Sequence, residues 1–250
     1  MSILLRSIAF NTLFYLNLAV LLVLALMTMP LPRRGVIEVA KLWARTSFWL
    51  LRVVAGIDVE WRGLEKMPKG AFIAAAKHQS AWETFGLLTL FDDPVFIIKR
   101  ELMWIPVFGW CAWKGDMIPV DRGAGAQAIG SMTEGAKAAI AQGRQIIIFP
   151  EGTRRPAGAE PRYKVGVAHI YAATGATCLP IALNSGLFWP RRSFRRLPGT
   201  IVVEILDPIP PGLDQATFRA RLQHDVESAT ARLIEEGRRE LARAGIAVTG

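Results

Sequence analysis

Two cysteines and three histidines in 250 residues leave little room for metal or disulfide chemistry. Cys111 and Cys178 lie far apart among apolar neighbours, with no Cys-x-x-Cys pair and no Cys/His cluster at ligand spacing. A disulfide framework and a metal site are therefore not expected, and the two thiols read as buried groups of a reducing compartment. Also lacking is a Gly-x-Ser-x-Gly elbow, which counts against an esterase, just as the want of a metal cluster counts against a lipid phosphatase. There is no zinc spacing and no aromatic RNA-binding signature, so a basic chain need not imply nucleic acid. Internal repeats and low-complexity tracts are missing too.

Charge is absent altogether from Ile8 to Leu31, and Leu18 to Met29 is almost purely aliphatic. That run is long enough to cross a bilayer as a helix. It ends in Met-Pro-Leu-Pro and two arginines rather than a small-residue cleavage site, which reads as a retained anchor and not a cleaved signal. Arg6, Arg33 and Arg34 are expected as interfacial anchors. From Val36 to Val54, charged residues at helical spacing (Glu38, Lys41, Arg45, Arg52) alternate with Leu42, Trp43, Phe48 and Trp49. This predicts a basic amphipathic helix that lies on a membrane surface, packs on a globular domain, or does both.

The whole chain is both basic and apolar: 30 Lys and Arg oppose 21 Asp and Glu, a net +9, and 52% of residues are hydrophobic. Together these favour an anionic membrane surface as partner. Beyond Gly56, short β-rich runs at 57–61, 71–76, 95–98, 117–120, 146–149, 178–183 and 201–206 are separated by helical patterns at 81–90, 124–141 and 165–173. The alternation predicts an α/β fold, a mostly buried mixed sheet flanked by helices and preceded by an N-terminal membrane-associated helical hairpin. Residues 1–55 are expected to anchor and 56–250 to form the catalytic domain. Asp214 should cap a long terminal helix with Phe218, Leu222, Val226 and Leu233 as its buried stripe.

Two segments carry the chemistry. Lys77-His78-Gln79-Ser80-Ala81-Trp82-Glu83 follows one strand and opens a helix. In a single continuous helix, residues five apart project about 140° from each other, so a His78–Glu83 pair needs His78 on the loop and Glu83 in the first helical turn. Paired that way, the carboxylate would fix the imidazole tautomer while the other nitrogen takes a proton from a hydroxyl. Ser80 and Glu83 also fit a capping box, which leaves Glu83 a purely local role. The second segment, Phe149-Pro150-Glu151-Gly152-Thr153-Arg154-Arg155, follows another strand, and Arg154 there offers a fork suited to phosphate oxygens. Ser80 and Cys111 are the conceivable nucleophiles for a covalent route, although Ser80 serves as a cap and Cys111 has no neighbouring histidine.

Taken together, His78-x4-Glu83 and Phe149-Pro150-Glu151-Gly152-Thr153-Arg154 resemble the first and third signature blocks of the glycerolipid acyltransferase family. Lys99-Arg100-Glu101-Leu102 running on to Ile118-Pro119-Val120-Asp121-Arg122 resembles its second block, and Leu179-Pro180-Ile181-Ala182 its fourth. The resemblance implies His78 as general base, with Glu83 where the family usually has aspartate. It places Glu151, Gly152, Thr153 and Arg154 at the acceptor's phosphate end, with Lys99, Arg122 and Lys164 as further candidates for that anionic pocket. The implied reaction moves a fatty acyl group from an acyl-CoA or acyl-carrier-protein thioester to the sn-2 hydroxyl of lysophosphatidic acid, with no cofactor and no metal. The implied partners are an anionic phospholipid membrane, a lysophospholipid, a thioester donor and, among donors, acyl carrier protein. The implied place is the cytoplasmic side of a bacterial inner membrane. Another lysolipid acceptor, such as a lyso-ornithine lipid, and a non-enzymatic membrane lipid-binding protein stay open as alternatives. Arg155-Pro156 departs from the serine that family members often carry after the third block.

Overall fold

The computed structural model describes residues 2–246; Met1 and residues 247–250, at the ends of the two expected domains, lie outside the described residues. Helix α1 (Ile3–Met27) and helix α2 (Arg34–Leu50) pack on each other as a hairpin, and a π-helical turn, Leu51–Ala55, leads out of α2. Among the described residues α1 is the one helix long and apolar enough to cross a membrane by length and composition. The hairpin closes at Gly56, whose left-handed backbone lets the Arg6 guanidinium approach: a Cβ there would meet Arg6 Nη2 at 2.4 Å.

Arg6 is half-buried. Its Nε donates to the Val54 carbonyl at 2.8 Å, tying the start of α1 to the π turn. Arg33 pairs with Asp93 at 2.6 Å and Asp116 at 2.9 Å, while Arg34 is exposed. In α2 the apolar face packs and a few residues face outward. Trp43 and Phe48 stack among Phe14, Trp82 and Phe85, and Lys41 is buried against Glu38 and the Asp92 carbonyl. Leu42, Trp49 and Val53 are exposed.

All seven apolar runs form strands of one sheet: β1 (Ile57–Arg62), β2 (Phe72–Ala76), β3 (Pro94–Lys99), β4 (Ile118–Val120), β5 (Gln145–Ile148), β6 (Cys178–Leu183) and β7 (Gly199–Ile205). Their order is β1-β7-β6-β2-β5-β3-β4. Five neighbouring strands, β6 through β4, run parallel, while β7 meets β6 antiparallel and carries β1 parallel to itself. The sheet is mixed and flanked by helices, as predicted.

Strand β2 sits in the middle and alternates between two cores. Phe72, Ala74 and Ala76 face one core, with Phe10 and Phe14 of α1 and Ala44 of α2. Ile73 and Ala75 face the other, which also holds Met132, Ile170 and Phe218 from helices α5 (Gly125–Ala141), α6 (Gly166–Thr174) and α8 (Gln215–Arg243). The inner face of the hairpin thus belongs to the same core as the sheet. At the start of α8, Asp214 accepts from the amides of Ala216 and Thr217, and the expected stripe is buried.

The helix expected over 81–90 is shorter. It breaks into α3 (Glu83–Gly86) and a 3-10 turn, Leu87–Leu90, with Gly86 against the Trp82 ring, 2.7 Å from where a Cβ would stand. Two helices went unforeseen, α4 (Phe108–Lys114) and α7 (Ser185–Phe188).

Candidate active site

Strands β2 and β5 are adjacent and parallel, so the loops at their carboxyl ends, which carry the two chemistry-bearing segments, meet at one edge of the sheet. The loops are laced together. The His78 amide donates to Glu151 Oε2 at 3.4 Å, and the His78 carbonyl accepts from the Arg155 amide at 2.8 Å. The imidazole stacks flat on Phe149, with ring centroids 3.9 Å apart and 13° between planes.

His78 stands where two cavities meet. One, about 380 Å³, is walled by Leu18, Leu21, Ala25, Ile37, Trp43 and Phe108 and is overwhelmingly apolar. The other, about 240 Å³, carries Arg122, Gly152 and Lys164. Both are lined by His78, Phe149 and Arg122. Nδ1 of His78 is buried without a hydrogen-bond partner, which leaves Nε2 as the nitrogen toward the cleft. Burial, and then the positive charges of Arg154, Arg122 and Arg191, lower the imidazole to about 3, so the free site holds it neutral.

The expected hydrogen bond between His78 and Glu83 is not formed. Glu83 Oε1 instead accepts from the amides of Gln79 at 2.7 Å and Ser80 at 2.9 Å, and from Ser185 Oγ at 2.8 Å. Ser80 Oγ accepts in turn from the Trp82 amide, so the capping box is the arrangement made. The physical reason is supply, since three donors surround the carboxylate within its own loop and the neighbouring α7. Burial raises Glu83 to about 7 in spite of them.

Glu151 is set apart from the other residues of its block. Its carboxylate is buried on Lys77 Nζ at 3.0 Å and on the His78 amide, rather than presented to the cleft. Lys77 also pairs with Glu227 of α8 at 2.7 Å, and the Tyr163 hydroxyl donates to that same Glu227 oxygen at 3.0 Å. Gly152 takes a left-handed backbone, φ 64°, beside the Lys164 side chain. Thr153 and Arg154 are exposed. Arg154 and Arg122 have no ion-pair partner among the described residues, whereas Lys99, on the apolar cavity's rim, pairs with Glu101 at 2.8 Å.

Sequence reasoning missed Lys77, Tyr163, Ser185, Arg191 and Glu227. Arg191 Nη1 donates to the Arg154 carbonyl at 2.8 Å, which brings a third arginine to the site. The arginine-rich run from Arg191 to Arg196 was the signal available for it. As for a covalent nucleophile, burial raises the thiol of Cys111 and, more strongly, of Cys178, which disfavours the reactive thiolate in both.

A neutral histidine at the carboxyl end of the central strand thus stands beside an apolar cavity and close to arginines without ion-pair partners among the described residues. The chain belongs to the acyltransferase family, whose model matches residues 58–184. It is 39% identical over 163 residues to the 1-acyl-sn-glycerol-3-phosphate acyltransferase of Pseudomonas aeruginosa, covering 65% of this chain and 63% of that protein. To the human 1-acyl-sn-glycerol-3-phosphate acyltransferase alpha it is 29% identical over 195 residues, 75% of this chain and 69% of that one. The crystal structure of the 1-acyl-sn-glycerophosphate (LPA) acyltransferase PlsC from Thermotoga maritima shares the fold, with a TM-score of 0.75 over 92% of this chain and 97% of that one, at 23% identity.

Proposed function

We propose that the protein transfers a fatty acyl group from a thioester donor, acyl-CoA or acyl carrier protein, to the free sn-2 hydroxyl of lysophosphatidic acid, giving phosphatidic acid. The observation that carries this reading is that His78 lines both an apolar cavity and a second one that carries Lys164, with Arg122 shared between them. The apolar cavity suits the acyl chain, and Arg154, Arg191, Arg122 and Lys164 suit the phosphate. A lyso-ornithine lipid would offer those arginines a single carboxylate in place of a phosphate.

His78 Nε2 takes the proton of the acceptor hydroxyl as its oxygen attacks the thioester carbonyl carbon. The C–S bond then breaks, and the leaving thiolate recovers the proton from the imidazolium. Glu83 holds the His78 loop through the Gln79 and Ser80 amides and supplies negative charge behind it when ionised. Gly152 and Thr153 shape the turn that presents Arg154, and Lys99 rims the acyl cavity.

Residues 1–55 form the membrane-holding element and 56–250 the catalytic domain. The outer face of α1, with Leu5, Ile8, Leu16, Val20, Val23 and Met27 exposed, lies in the leaflet. Its inner face stays on the domain through Phe10, Phe14 and Asn11, whose side-chain amide donates to the Phe194 carbonyl. Two free cysteines fit the reducing, cytoplasmic side of a bacterial inner membrane.

The test is transfer by the purified full chain, with CoA and carrier-protein thioesters each offered to lysophosphatidic acid and to lyso-ornithine lipid. Preferred turnover of lysophosphatidic acid is expected. Failure to acylate it with either donor, beside transfer to the phosphate-free lipid, would overturn the assignment.

A further inference from the structure

From Trp104 to Trp113 the chain exposes a row of large apolar side chains: Trp104 72%, Ile105 47%, Phe108 38%, Trp110 56% and Trp113 70%. Scattered single residues of this kind need no explanation, but three outward tryptophans within ten residues do. The backbone imposes their direction. Gly109 and Ala112 form the buried face of α4, and Gly109 is pressed so close to the preceding 3-10 turn that a Cβ would stand 2.0 Å from the Met103 carbonyl oxygen. Val107, a β-branched residue, is held at φ 65°, and Asp116 at φ 52°, so both ends of α4 are in a conformation such residues rarely take. With backbone against backbone at Gly109, the Trp110 and Trp113 rings of α4 are left on the outside.

What covers this shelf is indicated by its neighbours. The inner side of α4 is a wall of the apolar cavity, through Phe108, Cys111 and Ala112, and Cys111 packs on the cluster that holds Leu21 and Ala25 of α1. The shelf thus lies beside the stretch of α1 whose outward residues Val20, Val23, Leu24 and Met27 are exposed. Lys114, at the end of α4, has no ion-pair partner among the described residues, and Lys99 and Arg100 stand at the other end of the segment. Tryptophans beside cations, next to an apolar face, match the chemistry of the headgroup region of an anionic bilayer.

We propose that the Trp104–Trp113 segment is a second membrane-contacting element, seated among lipid headgroups beside α1, which sets the wall of the acyl cavity against the leaflet that supplies the lipid. This rests on the reading that the α1 face enters a membrane, and it adds a contact that the N-terminal hairpin does not contain.

The experiment compares the full chain with a variant carrying W104S, W110S and W113S, and with single Trp→Phe variants at the same positions, on vesicles of phosphatidylglycerol and phosphatidylcholine. Bromine-labelled lipids quench tryptophans at the bilayer surface. The parent and the triple variant should both float with vesicles, through α1. The triple variant should lose most of the bromine-dependent quenching and turn over vesicle-embedded lysophosphatidic acid several-fold more slowly. It should keep its rate on a short-chain, monodisperse acceptor, and each single variant should lose a share of the quenching. Unchanged quenching and unchanged vesicle activity in a folded triple variant would overturn the proposal while leaving the α1 reading intact. So would a loss confined to the carrier-protein donor, which would make the shelf a protein-docking surface. A parent that neither floats nor quenches would overturn both.

Discussion

Lys77 and Glu151 form an ion pair 3.0 Å apart, with both side chains almost wholly out of solvent, directly behind the loop that carries His78. Removing one partner of such a pair strands the other charge, at a cost of about 3–5 kcal/mol. Lys77→Met, which strands Glu151, should therefore lower the melting temperature by roughly 6–20 °C, and Glu151→Gln by less, because Lys77 keeps Glu227 at 2.7 Å. Were Glu151 a direct phosphate contact, the same substitution would move the acceptor KM and leave the melting temperature unchanged. Thermal unfolding beside steady-state kinetics separates the two.

For His78→Ala, kcat should fall by about 10² to 10⁴, the usual contribution of a positioned base. The ring contributes packing on Phe149 and no side-chain hydrogen bond, so circular dichroism should report a folded chain. Near-parental turnover in that variant would remove His78 from the mechanism.

The arginines at the site bear on the base as well as the ligand. Behind burial, Arg154, Arg122 and Arg191 each lower the imidazole, and a phosphate bound among them cancels part of that influence. His78 should thus become a stronger base when the acceptor is bound, and the acid limb of kcat should lie at higher pH than that of kcat/KM. Arg154→Ala and Arg191→Ala should raise the acceptor KM by about tenfold, the scale of one charge-assisted bond, with little change for the donor. Equal losses for both substrates would point to general damage.

Stability should respond to pH with opposite signs at His78 and Glu83. His78 titrates near 3 in the folded chain against an ordinary 6.5, so the unfolded chain takes the proton first. Its contribution makes stability rise with pH across that window. Glu83 titrates near 7 against an ordinary 4.5, so the folded chain keeps its proton longer, and stability falls as pH rises from 4.5 to 7. Relative to the parent, His78→Ala should tilt stability downward with rising pH and Glu83→Gln upward. Urea midpoints at about pH 5 and about pH 6.5 measure both slopes.

Much of this architecture could be read from the sequence because period and burial coincide. Strands such as β6, with every residue buried, announce themselves as unbroken apolar runs, and Asp214 caps α8 through local chemistry. Helix α4 was invisible for the opposite reason: its aromatic residues point outward, so no helical stripe of apolar and polar positions marks it. The His78–Glu83 spacing was legible and its hydrogen bond was not, because Ser185, a competing donor for Glu83, is 102 residues away. The contacts of Lys77 with Glu151 and Glu227 span 74 and 150 residues, a distance over which no local pattern carries information.

The order of the strands has a consequence for how the chain is made. Strand β1 has one neighbour, β7, the last strand to be synthesised, and Phe10 and Phe14 of α1 pack on Trp189. At about 5–20 residues per second, a ribosome takes roughly 7–30 s to advance the approximately 150 residues from the end of α2 to those partners. Until then the inner face of the hairpin has Trp82 and Phe85 to pack on but not Trp189, and the first strand is an open edge. On the proposed reading of α1, a nascent chain in this condition meets the leaflet through its first helix well before it has a catalytic site to bring there.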